Sequence, residues 1–104
     1  MTPLGVNKQL LGNIVSTISN YKEIEKALIF GSRASGDYKN YSDINIALFL
    51  KDDIPTQLFF DLDELNCIYK IDLVNFNKSC NEDFKGNILK QGIEMYNKQV
   101  LPVT

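Results

Sequence analysis

The chain has 104 residues and a mass of 11.8 kDa, a length that suits one domain hiding roughly 65% of its unfolded surface. Hydrophobic residues at 44% and charged residues at 23% exclude disordered and fibrous classes, and a net charge of −2 argues against bulk attraction to nucleic-acid phosphates. There is no histidine, so Ser–His–Asp and Cys–His catalysis, histidine zinc sites and imidazole proton shuttles are ruled out.

Cys67 and Cys80 are isolated thiols without CxxC partners or a secretory leader. They are expected to be buried structural cysteines in a reduced, cytoplasmic protein. No apolar run approaches the ~18 residues of a membrane span.

The predicted elements follow in chain order. Leu10, Leu11, Ile14, Val15 and Ile18 recur at helical spacing, which predicts an amphipathic helix over about residues 7–20. Ala27-Leu28-Ile29-Phe30 is a continuous apolar run ending at Gly31, the pattern of a buried strand. Ser35-Gly36-Asp37 and Lys39-Asn40 carry turn chemistry, with a short helical turn expected before them. From Asp43 to Leu48 the side chains alternate, so Asp43 and Asn45 share one strand face and Ile44, Ile46 and Leu48 the other.

Pro55 then opens a second helix through Leu58, Phe59, Leu62 and Leu65. Phe59 and Phe60 are about 100° apart on a helix, so both cannot point into one core stripe, and one of them is expected at a partner interface. Tyr69 to Phe76 reads as a strand with Ile71 and Leu73 on one face and Lys70, Asp72 and Val74 on the other. Phe84, Ile88 and Leu89 mark a third helix closing near Gly92, and Ile93 to Tyr96 adds a last short strand. The fold class is therefore α/β of the α+β type, a small mixed sheet of three to four strands with helices packed on it. A crossover from the second strand to the third is expected, while the strand order is not legible.

Three features point to one place. Gly31-Ser32 directly follows a buried strand, where a missing Cβ lets phosphates approach the backbone and the serine hydroxyl and amide can donate. Arg33 is the single arginine beside ten lysines, and its planar fork suits phosphate. Asp43 and Asn45 on one strand and Asp72 inside the next can offer oxygens to a hard cation. Taken alone, the Asp43/Asn45 pair reads more readily as the solvent face of a half-buried strand.

Together, Gly31-Ser32-Arg33-Ala34-Ser35-Gly36-Asp37 and, after a ten-residue gap from the Gly-Ser pair, Asp43-Ile44-Asn45 resemble the signature of the minimal nucleotidyltransferases, the MNT branch of the DNA polymerase beta-like superfamily. Lys70-Ile71-Asp72-Leu73-Val74 resembles the strand carrying that family's third carboxylate, and Asn87 to Tyr96 its closing helix and strand. The resemblance spans about residues 23–98 and implies a nucleotidyltransferase-like fold in one domain over residues 1–104. It implies ATP as substrate and Mg²⁺ or Mn²⁺ held by Asp43, Asn45 and Asp72, which also serve as the catalytic set. Gly31, Ser32 and Arg33 would bind the nucleotide. As partner it implies a HEPN-like helical toxin, modified on a tyrosine hydroxyl or neutralised by complex formation; a second copy is the other candidate for the contact at Phe59 or Phe60. The chain departs from the pattern at Asn45, where the family has a second metal aspartate; a neutral amide removes one of three negative charges from the site.

Overall fold

In the computed structural model, residues 5–36, 38–39, 42–65 and 68–98 are described. Asp37 and Asn40 of the predicted turns, and Cys67, lie outside them. Helix α1, Lys8–Ser19, starts where Asn7 accepts the N–H of Leu10 at 2.8 Å, a side-chain N-cap. The elements that follow are β1 Lys26–Phe30, the one-turn helix α2 Ser32–Ser35, β2 Ile44–Phe49, α3 Thr56–Asp63, β3 Ile71–Asn75, a 3₁₀ turn at Phe76–Lys78, α4 Glu82–Gln91 and β4 Ile93–Asn97. Helix α4 is capped by Asn81 and carries Glu82 and Asp83 in its first turn, where negative charge complements the helix dipole.

The four strands form one mixed sheet in the order β3-β2-β1-β4. Strand β1 pairs antiparallel with both β2 and β4, whereas β2 and β3 are parallel and joined across α3. This is the expected crossover, and the four-stranded α+β fold is the predicted class.

Strand alternation divides the core between two faces. On one, Ile14 and Ile18 of α1 and Leu58 and Leu62 of α3 pack against Ala27, Ile29, Ile44, Ile46 and Leu48. Each fully buried aliphatic side chain there contributes about 1.5–3 kcal/mol by leaving water. On the other face, Ile88 of α4 and Phe76 pack on Leu28 and Ala47, with Phe30, Phe49 and Phe84 around them. Phe49 stacks on Phe76 at 4.2 Å and Phe30 meets Phe84 edge-on at 5.6 Å.

Several expectations need correction. Cys80 is exposed, because it falls in the surface connection between the 3₁₀ turn and α4. The third helix forms as expected, with Phe84 and Ile88 on its inward stripe and Leu89 exposed a further 100° round. Helix α3 stops at Asp63, short of Leu65, in a last turn holding carboxylates and no cation. Both Phe59 and Phe60 are exposed, at 46% and 58%, where only one was expected. Among the described residues no helix is long and apolar enough to cross a membrane.

Candidate functional site

The register of the sheet assembles the site. Phe30 stands opposite Asn45 in the antiparallel pair, and Asn45 opposite Asp72 in the parallel pair. Directly paired residues lie on the same face, so Phe30, Asn45 and Asp72 form one row across three strands spaced about 4.8 Å apart. The next row on that face is Leu28, Ala47 and Val74. Helix α4 lies over β1, with Ile88 in one cluster with Leu28 and Ala47. Asn45 is half-buried, the Asp72 side chain is 39% exposed, and Asp43, two residues before Asn45, is exposed.

Gly31 heads this row, immediately after Phe30. Its backbone has φ 80° and ψ −152°, a conformation that L side chains essentially never adopt. A Cβ there would stand 2.8 Å from Nδ2 of Asn45, so the bare Cα and the asparagine amide share one small space. Gly31 also supplies the carbonyl that accepts the N–H groups of Ala34 and Ser35, both at 3.1 Å, which turns the chain into α2. Ser32 is half-buried at the start of that turn, where helix geometry leaves the leading N–H groups without intrahelical acceptors. Gly31, Ser32, Asp43, Asn45 and Asp72 are thus brought to one end of the sheet.

Arg33 goes elsewhere. It is only 2% exposed, and its Nε and Nη2 donate to the Ser42 carbonyl at 3.1 and 2.8 Å. Its guanidinium lies over the rings of Tyr69 at 4.4 Å and Tyr38 at 5.2 Å. A fork held this way fixes the backbone one residue before Asp43, and its planar charge suits burial between aromatic faces. The two tyrosines were not picked out in the sequence, since nothing in their spacing marks them. The single arginine was the available signal, and it marked a position that lysine cannot fill.

Among the described residues no group of three or more carboxylate, thiol or imidazole side chains is gathered to hold a metal. The donor set here is two carboxylates and one amide, all hard oxygens. That suits a divalent cation which takes its remaining ligands from water and phosphate, as Mg²⁺ usually does. Lys70 lies 3.6 Å from Asp72, both partly in solvent, a contact worth little by itself.

A family model for polymerase beta nucleotidyltransferases matches residues 12–100. The chain belongs to that nucleotidyltransferase family. No curated protein sequence matches it. Its fold is similar to a chain of a toxin–antitoxin crystal structure with AMP-PNP, at 20% identity and TM-score 0.65, covering 90% of this chain and 76% of that one. It is similar at 19% identity and TM-score 0.63 to a chain in the complex of a tri-AMPylated Shewanella oneidensis HEPN toxin with MNT antitoxin, covering 88% and 73%. A putative nucleotidyltransferase from Sulfolobus solfataricus matches at 24% identity and TM-score 0.54, covering 88% and 80%. At these identities the likeness is one of fold.

Proposed function

We propose that this nucleotidyltransferase-family chain is a minimal, MNT-type antitoxin that binds ATP and transfers AMP to a hydroxyl, a tyrosine of a HEPN-type partner. The observation that carries the reading is the row Phe30–Asn45–Asp72 with Gly31-Ser32 at its head and Asp43 beside it. The backbone of Gly31 and the hydroxyl of Ser32 would hold the β- and γ-phosphates. Arg33 would act as a positioning residue, through Ser42, for Asp43. In the transfer, the acceptor oxygen forms a bond to the α-phosphorus, the bond from that phosphorus to the β-phosphate oxygen breaks, and pyrophosphate leaves. The hydroxyl proton passes to the carboxylate of Asp72 or to water. Mg²⁺ or Mn²⁺ held by Asp43, Asn45 and Asp72 would supply charge neutralisation on the triphosphate. Such transfer relies on positioning and electrostatics, so a chain without histidine can perform it.

A second reading has its own support. With Asn45 in place of an acid, and its amide nitrogen beside Gly31, the site holds two carboxylates. The chain would then bind nucleotide with little turnover and neutralise its partner by complex formation. Titration of Mn²⁺ and of ATP into wild type, Asp43→Ala and Asn45→Asp tests both readings. Loss of metal-dependent ATP binding in Asp43→Ala is expected. Stronger binding and faster transfer of labelled AMP in Asn45→Asp would make the asparagine a weakened ligand. Equal binding by Asp43→Ala and wild type would sink the site, and unchanged affinity in Asn45→Asp would mean that residue 45 does not face it.

A further inference from the structure

We infer that the outer edge formed by α3 and β3 is the docking face for the partner protein, and that it receives a helix whose apolar ridge is flanked by lysine or arginine. The inference rests on the two-protein reading above and adds where the partner sits and what chemistry it presents. Helix α3 buries Leu58 and Leu62 and leaves Phe59 and Phe60 at 46% and 58% exposure; Ile68, next to β3, is 73% exposed. Rings left in water on a small domain mark an interaction surface. Between the two elements lies a pocket of about 290 Å³ lined by Phe59, Leu62, Tyr69, Ile71 and Leu73, with Asp63 and Lys70 at its polar side. Protein interfaces place their anchor side chains in apolar pockets with aromatic walls of this kind.

Charge decides the occupant. From residue 52 to residue 64 the chain carries five carboxylates, Asp52, Asp53, Asp61, Asp63 and Glu64, and no cation. Lys78 pairs with Asp53 at 2.6 Å, away from the helix end. Asp61, Asp63 and Glu64 cluster where the α3 dipole is itself negative. Hydrogen bonds from Tyr21 and Gln57 hold the Asp61 carboxyl below the usual carboxylate range, so it stays charged. A second copy docked by two-fold symmetry would set these carboxylates against themselves. A basic ridge is complementary and would also quiet the helix end.

The docking face and the candidate row lie on opposite faces of the sheet and meet around the edge strand β3. Tyr69 of the pocket carries the Arg33 guanidinium at 4.4 Å, and Lys70 of the pocket lies 3.6 Å from Asp72. A protein seated on α3 and β3 therefore touches side chains, Tyr69 and Lys70, that contact Arg33 and Asp72 across the β3 edge.

Photo-crosslinking tests this. The photoreactive amino acid p-benzoylphenylalanine replaces Phe60, or Ser16 on the exposed side of α1 as a control, in the native host, and the cross-linked peptide is sequenced by mass spectrometry. The expected product is one heterologous protein, joined through a lysine- or arginine-flanked helix, from position 60 and not from 16. With that protein purified, Asp63→Lys combined with Glu64→Lys should weaken binding at least about tenfold, while ATP affinity is unchanged. A cross-link to this chain itself, to an acidic surface, equally from both positions, or none at all would overturn the inference. ATP titration of wild type reads the transferase proposal separately: docking without ATP binding would remove that proposal and leave this face standing.

Discussion

Gly31→Ala is the substitution whose consequence follows most directly from the geometry. The native backbone at φ 80° and ψ −152° lies in a region open essentially to glycine alone, and forcing another residue into it costs about 1–3 kcal/mol. The new methyl would also stand 2.8 Å from Nδ2 of Asn45, so the amide must move, and it has only a short side chain to move with. Together these give a loss of about 2–3 kcal/mol. For a chain of this length each 1 kcal/mol lowers the melting temperature by about 4–8 °C, so a fall of roughly 8–24 °C is expected by circular dichroism. Gly36→Ala is the control. It has φ 90°, but nothing within 4 Å of its would-be Cβ, so it should cost about 1 kcal/mol and leave ATP binding unchanged. Gly31→Ala should in addition weaken ATP binding about tenfold, because the displaced amide enters the cradle. In Gly31→Ala with Asn45→Ala the two effects should be sub-additive by about 0.5 kcal/mol or more, since the contact is gone and only the backbone strain remains. Gly31→Ala melting no lower than Gly36→Ala, with ATP affinity intact, would refute the placement of Gly31 against Asn45.

The other predictions concern charge. Arg33→Lys should lower stability by about 1–3 kcal/mol, to the same extent with and without ATP in thermal melts, because an ammonium cannot reproduce the double contact to Ser42 between two rings. A normal melt with loss of ATP affinity alone would instead put Arg33 on the ligand. Asn45→Asp should melt lower than wild type in EDTA, where three carboxylates repel, and recover with Mn²⁺; identical melts under both conditions contradict a shared site. The Tyr21–Asp61 hydrogen bond gives stability a pH signature at both ends. The Asp61 carboxyl is held low by Tyr21 and Gln57, so its contribution is present above the unfolded carboxylate range and lost as pH falls through the folded value. Tyr21 is pushed up to about 12 by burial and by Asp61, so its contribution is full below the ordinary value of 10.0 and lost between 10.0 and about 12. Tyr21→Phe should flatten the melting temperature against pH in both windows, and an unaltered profile would show that the bond does not form.

Local pattern alone determined much of this protein. The apolar run before Gly31 and the alternation from Asp43 to Leu48 gave strands and faces, because side-chain period in a strand is a property of the backbone. The helical spacing in α1 and the punctuation by Gly31, Pro55 and Gly92 were equally local. Gly31-Ser32, Asp43, Asn45 and Asp72 were legible as a group because residue type and spacing carry the family's signature. Strand order was not, since which strands become neighbours depends on long-range pairing that no window of sequence contains. The fate of Arg33 was decided in the same way. Its lone occurrence singled it out, but only the approach of Tyr69 from just before β3, thirty-odd residues away, and of Ser42 from the β2 entry, turns its charge inward. The exposure of Cys80 has a related reason, because an apolar residue type does not say how much neighbouring surface is present to cover it. The two exposed rings of α3 show the same limit: helical geometry separated Phe59 from Phe60, and only the packed sheet showed that neither is covered.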